Sequence, residues 1–305
     1  MKDFISLHDI TEKELEDLLT LAIKLKSEQK QGIQHHLLKG KTLGMIFTKS
    51  STRTRISFEV GMTQLGGYPL FLSSNDIQLG RGETIHDTAK VMERYLDGIM
   101  IRTYAHSDVL ELAECADIPI INALTDLLHP CQVLADLLTT YEHKGKLEDL
   151  KIAYIGDGNN MAHSIMYGAA KAKMNCAIAT PENYACDSEV VANAKDDFKK
   201  SGKNLIITAD PIEAIKNADV VYTDTWVSMG QEEEKAERIK AFDGYQVNSE
   251  LMKHANTDAV FMHCLPAYRG FEVSEDVIDG PQSVIFDEAE NRLHAQKAVL
   301  ATLMK

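Results

Sequence analysis

The stretch TLGMIFTKSSTRTRISFEVGMTQL, residues 42–65, joins three kinds of segment in an order that decides the fold. An apolar run at 42–48 is typical of a buried strand, and a polar turn leads from it into a helix-like segment with Phe58, Met62 and Leu65 on one face. Further strand-like runs follow at 68–72, 98–103 and 118–123. Strands that alternate with helical segments predict a parallel sheet covered by helices.

The same alternation restarts in the second half of the chain. It begins near Leu150, and further strands are predicted near Cys176, Leu205, Val220 and Val260. Between the two series, a helix is predicted at 130–144, because Pro130 suits a first helical position and apolar residues then recur at helical spacing.

The predicted fold class is therefore α/β, with two domains that each contain a parallel β-sheet flanked by helices. Charged residues and a glycine interrupt the pattern at 142–149, so we expect one domain at 1–145 and a second at 146–288. The last segment, 289–305, is predicted to be a helix that returns to the first domain.

Composition limits the classes of partner. The 305 residues carry a formal net charge of -14, which disfavours nucleic acid and anionic membrane surfaces, so an anionic ligand would need a local cluster of donors. The five cysteines are scattered and form no CxxC pair, which favours a reducing compartment over a disulfide framework. With no apolar run near the roughly 20 residues of a membrane helix, we expect a cytoplasmic protein.

The polar turn at 50–55 has the composition of an anion site. Free backbone N–H groups at a helix start, the nearby serine and threonine hydroxyls and the guanidinium groups of Arg53 and Arg55 could together surround a phosphate. The simpler interpretation is a helix N-cap followed by surface arginines, and it explains one of these hydroxyls.

Five segments carry a resemblance to a known family. Ser-Thr-Arg-Thr at 51–54, His-Pro-Cys-Gln at 129–132 and His-Cys-Leu-Pro at 263–266 resemble, in order and spacing, motifs of the aspartate and ornithine carbamoyltransferases. The loop at 224–230, Asp-Thr-Trp-Val-Ser-Met-Gly, is similar to the amino acid loop of the ornithine branch, and 286–292 is similar to the last binding segment of the family. The resemblance covers essentially the whole chain.

The resemblance implies transfer of the carbamoyl group of carbamoyl phosphate to the δ-amine of L-ornithine, giving L-citrulline and phosphate. It implies a homotrimer or a multiple of trimers, no cofactor, and a role in arginine metabolism that we expect to be anabolic. It also implies binding residues for carbamoyl phosphate, and these are Ser51, Thr52, Arg53, Thr54, Gln78, Arg102, His129, Pro130, Cys131, Gln132, Cys264, Leu265 and Arg292.

The same resemblance assigns the ornithine head group to Asn160, Asp224, Ser228 and Met229. Gln78 is similar to a residue that family members lend to the neighbouring subunit's site. The residues expected to act in catalysis are Arg102, His129, Gln132, Cys264 and Asp224, and the donors expected at the carbonyl oxygen are Arg102, His129 and Thr54.

Three alternatives stay open on the sequence. Gly156-x-Gly158 after a strand is half of a dinucleotide fingerprint, so an oxidoreductase is the rival from another class, although Met161 stands where the third glycine belongs. A carbamoyltransferase for another amine, such as putrescine, and a non-catalytic binding module are the others. His263 and Cys264 are adjacent and should face opposite sides of a strand, so we expect no metal site there.

Overall fold

The computed structural model describes residues 1–74, 77, 82–227 and 232–305. It divides the chain into two compact units, one formed by Met1–Leu138 with Glu290–Lys305 and the other by Thr139–Ala289. The domain boundary expected at 145/146 lies just after the helix Pro130–Lys144, whereas the units divide inside that helix. Each unit is an α/β structure with a parallel sheet, which confirms the predicted fold class.

The first unit contains a four-stranded parallel sheet in the order β2-β1-β3-β4. Its strands match the predicted runs to within two residues at each end. The elements are α1 (Glu12–Lys30), β1 (Thr42–Phe47), α2 (Thr52–Gln64), β2 (Tyr68–Ser73), α3 (Ile85–Met92), β3 (Gly98–Arg102), α4 (His106–Cys115), β4 (Ile120–Leu124) and α5 (Pro130–Lys144).

The second unit contains a five-stranded parallel sheet in the order β7-β6-β5-β8-β9. Two single turns of 3₁₀-helix lie at Glu182–Tyr184 and Glu232–Glu234. The other elements are β5 (Lys151–Ile155), α6 (Asn160–Lys171), β6 (Asn175–Ala179), α7 (Ser188–Ser201), β7 (Leu205–Thr208), α8 (Pro211–Ile215), β8 (Val220–Tyr222), α9 (Lys235–Ala241), α10 (Ser249–Met252), β9 (Val260–Met262), α11 (Glu275–Ile278) and α12 (Ile285–Leu303).

The last helix, α12, starts four residues earlier than predicted. Ile285 is buried in the core of the second unit, so the first turn of the helix belongs there. From Glu290 onward the helix packs in the first unit, as predicted. Lys26 of α1 donates a buried hydrogen bond to Asn291 Oδ1 at 2.8 Å, and Gly61 of α2 leaves room for Leu293 of α12. Among the described residues, none of the helices is long and apolar enough to cross a membrane.

A buried lysine joins three helices of the first unit. Lys297 of α12 is fully buried, and its Nζ donates to Gln29 Oε1 of α1 at 3.0 Å and to Gln64 Oε1 of α2 at 3.1 Å. Both of these acceptors are neutral amide oxygens, so they stabilise the ammonium less than a carboxylate would. Burial accordingly lowers the pKa of Lys297 from its usual value of 10.5 to about 8.

This shift predicts a pH dependence of stability. Between pH 8 and 10.5 the unfolded chain binds a proton that folded Lys297 has released, so this contribution to the free energy of unfolding should rise with pH. From pH 7 to pH 9 the natural chain should gain about 1 kcal/mol relative to a Lys297→Met variant. Urea unfolding at fixed protein concentration measures the difference, and Lys30→Met, an exposed lysine of α1, is the control. Parallel pH curves for the natural chain and Lys297→Met would contradict the assignment.

Candidate functional site

The predicted site residues of the first unit lie where strands end. Ser51 begins the turn into α2 after β1, Arg102 is the last residue of β3, and His129 follows β4. The carboxyl ends of parallel strands share one edge of the sheet. Since β1 has β2 on one side and β3 on the other, the strand order reverses at β1, which is where open α/β sheets bind ligands.

The turn into α2 shows that the two arginines differ. Ser51 is the N-cap of α2, and its Oγ accepts a hydrogen bond from the Thr54 N–H at 3.2 Å. The Ser51 hydroxyl is therefore the one that a simple N-cap explains. Arg55 lies on the flank of the helix, with its guanidinium 3.7 Å from the centroid of the Phe71 ring and its Nε 3.0 Å from Glu59 Oε1. The contacts of Arg55 therefore give no support to the expectation that its guanidinium joins that of Arg53 around one anion.

Three predicted residues from distant parts of the sequence meet in the first unit. The guanidinium of Arg292, on α12, donates to Gln132 Oε1 at 2.6 Å and to Thr54 Oγ1 at 3.2 Å. Gln132 in turn donates to Asp136 Oδ1 at 2.8 Å. All of these side chains are buried, so the hydrogen bonds are shielded from water and hold Arg292 beside the start of α2.

The protonation of His129 is influenced by several positively charged side chains. It is buried, and the pKa of its imidazole is lowered well below the usual 6.5, first by burial and then by the positive charges of Arg292 and Arg102, with smaller effects of Lys49 and Arg53. The side chain is therefore neutral at pH 7. A neutral imidazole can still donate one N–H, and it adds no charge to a site that already holds several cations.

Lys49 is a buried cation near the start of α2 that belongs to none of the sequence motifs. It is buried directly before Ser50, its Nζ lies 3.2 Å from Asp126 Oδ1, and it sits 5.0 Å from the centroid of the Tyr104 ring. Its position, directly before the polar turn at 50–55, was the feature of the sequence that could have identified it. Its contacts tie the end of β1 to the loop that leads to His129.

The neighbours of His129 have different orientations. Pro130 is the first residue of α5, as the sequence predicted. The thiol of Cys131 is buried and donates to the Asn122 carbonyl oxygen of β4 at 3.4 Å, and burial raises its pKa to about 12. The side chain of Cys131 is therefore turned into the core, and its backbone is the part that could serve a ligand.

In the second unit, three strand ends converge on one carboxylate. Asp224, after β8, is buried; its Oδ1 accepts from the Thr225 N–H at 2.8 Å and from the Cys264 thiol, after β9, at 3.1 Å. Its Oδ2 accepts from Nδ2 of Asn159, after β5, at 2.9 Å. The structure thus brings together two residues named as candidates from the sequence, Asp224 and Cys264, and adds Asn159 to them. Asn160 is the first residue of α6.

The conformation after β9 corrects the expected orientation of His263. The ligand atoms of Asp224, His263 and Cys264 all lie within 4.8 Å of one another, a grouping that could hold a metal ion. The prediction of opposite faces was wrong because β9 ends at Met262, so strand alternation does not apply to His263 and Cys264. Both ring nitrogens of His263 already have partners: Nδ1 accepts from the Leu265 N–H at 2.9 Å, and Nε2 lies 3.2 Å from Glu272 Oε1.

Leu265 has a left-handed backbone, with φ of +59°. This conformation is uncommon for a residue with a branched side chain, and the hydrogen bond to His263 helps to hold it. Cys264 and Leu265, which the resemblance assigns to carbamoyl phosphate, both belong to the second unit. Of the other predicted residues, Gln78, Ser228 and Met229 lie outside the described residues.

The segments on either side of 228–231 are held by one buried arginine. Arg238 of α9 donates to Asp157 Oδ2 at 2.8 Å, to the Trp226 carbonyl oxygen at 3.1 Å and to Glu234 Oε2 at 2.8 Å. Burial raises the pKa of Asp157, and the nearby guanidinium of Arg238 partly offsets the effect. Arg238 therefore joins Trp226, within the predicted amino acid loop, to Asp157 after β5 and to Glu234 before α9.

The Gly156-x-Gly158 turn has a packing explanation. A Cβ on Gly158 would lie 2.4 Å from the backbone nitrogen of Cys186, so the glycine is required by the close approach of the chain to itself. This explanation needs no dinucleotide.

Comparison with known proteins adds an independent line of evidence. Residues 2–142 match the family described as aspartate/ornithine carbamoyltransferase, carbamoyl-P binding domain, and residues 148–303 match the one described as aspartate/ornithine carbamoyltransferase, Asp/Orn binding domain. The ornithine carbamoyltransferase of Caldicellulosiruptor saccharolyticus is 63% identical over 300 residues, which cover 98% of this chain and 97% of that protein.

Solved structures give the same result. The ornithine carbamoyltransferase from Pyrococcus furiosus has a TM-score of 0.96 and 53% identity, with 99% of this chain and 97% of that one covered. A structure described as the anabolic ornithine carbamoyltransferase from Campylobacter jejuni has a TM-score of 0.93 and 45% identity, with 99% of each chain covered. The chain therefore belongs to the aspartate/ornithine carbamoyltransferase family, as one of its ornithine carbamoyltransferases, and is an enzyme of the transferase class rather than a dinucleotide-dependent oxidoreductase.

Proposed function

We propose that this enzyme transfers the carbamoyl group of carbamoyl phosphate to the δ-amine of L-ornithine, producing L-citrulline and phosphate. The observation that carries the proposal is the buried contact of Arg292 with Thr54 and Gln132, beside a neutral His129. This group combines positive charge with neutral donors, which is what a small phosphorylated carbonyl compound requires.

In this proposal the first domain, 1–145 with the helix at 289–305, binds carbamoyl phosphate. The start of α2 supplies backbone N–H groups, and Arg53, Arg102 and Arg292 supply charge for the phosphate. The remaining ligands follow the family pattern: Ser51, Thr52, Thr54, Gln78, His129, Pro130, Cys131, Gln132, Cys264 and Leu265.

The second domain, 146–288, binds ornithine. The α-amino and carboxylate groups of an amino acid need an acceptor and donors at the same place. Asp224 provides the acceptor, held in place by its three hydrogen bonds. Asn160 at the start of α6, with Ser228 and Met229, provides the donors.

The chemical step is attack of the neutral δ-amine on the carbonyl carbon. A carbon–nitrogen bond forms, the bond from that carbon to the phosphate oxygen breaks, and the leaving phosphate accepts the proton that the amine releases. Arg102, His129 and Thr54 donate to the carbonyl oxygen as it becomes negative, and each such donor typically contributes about 3 kcal/mol. Gln132 faces the carbamoyl nitrogen, and Cys264 lines the approach of the amine.

A homotrimer, or a multiple of trimers, is part of the proposal. The edge strand β2 exposes Tyr68 and Leu70, and the adjacent helix α2 exposes Ile56 and Val60. An exposed apolar sheet edge is a surface that natural proteins usually cover. The family resemblance further implies that each subunit of such an assembly lends its Gln78 to a neighbouring site. A sedimentation mass equal to the 33.9 kDa monomer would contradict this assembly.

We also propose an anabolic role in arginine biosynthesis, in the cytoplasm. The similarity to the Campylobacter jejuni enzyme, described as anabolic, supports the role, and the five free cysteines support a reducing compartment. Growth without arginine of a cell that lacks this gene and any second copy would contradict the role.

The direct test is a panel of acceptors. The enzyme should convert carbamoyl phosphate and ornithine to citrulline, while putrescine, lysine and aspartate give little or no ureido product by mass spectrometry. A larger yield from putrescine would assign the enzyme to another amine, and no product with any acceptor would reject the transferase mechanism described above.

A pair of arginine variants tests the phosphate site. Arg53→Ala should weaken carbamoyl phosphate binding by about 2–3 kcal/mol, because a charge-assisted contact is lost. Arg55→Ala removes a guanidinium from the same helix, but this one packs on Phe71 and pairs with Glu59. The affinity of Arg55→Ala for carbamoyl phosphate should therefore stay near normal. Calorimetry measures both, with the assembly state checked by light scattering. Equal losses of carbamoyl phosphate affinity in the two variants would contradict the assignment of Arg53, and not Arg55, to the phosphate.

The pH profile tests the role of His129. The ornithine δ-amine should titrate at about 10.4, as a lysine does, so kcat/KM for ornithine should climb from pH 6 to 8.5 as free amine increases. Since His129 is already neutral over this range, its titration should not contribute. His129→Asn should lower the rate roughly a hundredfold and leave the slope unchanged. A change of slope near the usual histidine pKa that disappears in His129→Asn would overturn this assignment.

A further inference from the structure

We propose that Asn159 is a positioning residue that fixes the carboxylate of Asp224 for the amino group of ornithine. This inference rests on the proposed function, because it deepens the ornithine site. Asn159 follows β5 and Asp224 follows β8, and the two strands are neighbours in the sheet of the second unit. Asn159 Nδ2 donates to Asp224 Oδ2 at 2.9 Å.

The orientation of the Asn159 amide is set by three donors. Its Oδ1 accepts from the backbone N–H groups of Met161 at 2.9 Å and Ala162 at 3.4 Å, which makes Asn159 the N-cap of α6. The Tyr154 hydroxyl lies 3.3 Å from the same oxygen, and burial raises the pKa of Tyr154 well above its usual value, so the phenol stays a donor. With the oxygen held on this side, the amide nitrogen must face Asp224.

The hydrogen bonds of Asp224 leave a defined acceptor position. A carboxylate offers about four lone-pair sites. Asn159, the Thr225 N–H and the Cys264 thiol occupy three of them and come from the segments after β5, β8 and β9. Among the residues that the structure describes, these three hydrogen bonds fix the carboxylate from three directions, and in this proposal the fourth lone-pair site accepts from the ammonium group of ornithine.

Capping alone does not explain an asparagine at this position. Serine and aspartate cap helices about as well. A shorter serine side chain would lose the amide donor to Asp224, and an aspartate would place a second carboxylate against it. Asparagine can cap α6 and donate to Asp224 at the same time.

Substitutions at Asn159 separate these two roles. Asn159→Ser keeps a capping oxygen and removes the donor, so the KM for ornithine should rise about tenfold, as expected for a lost hydrogen bond to a charged group. The KM for carbamoyl phosphate should stay within about twofold of the natural enzyme, since the carboxylate serves the other substrate. Asn159→Asp keeps the cap but places a second carboxylate against that of Asp224. The KM for ornithine should therefore rise more in Asn159→Asp than in Asn159→Ser.

Asn248→Ser is the matched control. Asn248 is the N-cap of α10 in the same unit, and its Oδ1 accepts from the Leu251 N–H at 3.0 Å. This substitution also exchanges a capping asparagine for serine, and it should leave both KM values unchanged. Thermal unfolding of all three variants reports any loss of the cap itself.

The possible outcomes distinguish failure of this inference from failure of the proposed function. An unchanged ornithine KM in Asn159→Ser, or equal rises in both KM values together with a lower Tm, would overturn the positioning role. An unsubstituted enzyme that forms no citrulline would reject the proposed function, and this inference with it. An active enzyme in which Asn159→Ser behaves like Asn248→Ser would reject this inference alone.

Discussion

The structure depends on a constraint of parallel sheets, which is that every strand must leave the sheet at the same edge before its helix crosses back. Polar residues that follow the strands therefore collect at that edge, whatever their separation in sequence. In the first unit this collects Ser51, Arg102 and His129; in the second it collects Asn159, Asp224 and Cys264. Each unit thus forms its own group of chemically active side chains at the carboxyl ends of its strands.

Local sequence was sufficient to predict the elements that have strong periodic signals. The helix Pro130–Lys144 was predicted with its observed ends because proline marks its start and apolar residues recur at helical spacing. Central strands such as β1, β3 and β4 were predicted because parallel strands buried on both faces read as continuous apolar runs. The candidate site residues came from motifs, and the structure groups several of them, such as Thr54 with Gln132 and Arg292.

The details that sequence did not predict all depend on long-range contacts. Arg53 and Arg55 are two residues apart with the same chemistry, and the contact with Phe71 on β2 places the guanidinium of Arg55 on the flank of α2. Asn159 and Asn160 are adjacent and identical, and the position of Asp224, 65 residues further on, distinguishes them. The orientation of His263 depends on where β9 ends and on the buried Glu272. None of these partners can be identified by reading the neighbouring residues.

The position of Arg292 also has a consequence for how the protein is made. Domains generally fold as the chain is synthesised, from the amino terminus onward. The first unit contains residues 1–138, yet Arg292 and the rest of 290–305 complete it. The second unit, which ends at Ala289, is fully translated before the first one has its last helix. The group around Thr54 and Gln132 is therefore finished only after residue 292 has left the ribosome, so a shorter nascent chain lacks the buried hydrogen bonds of Arg292 to these two side chains.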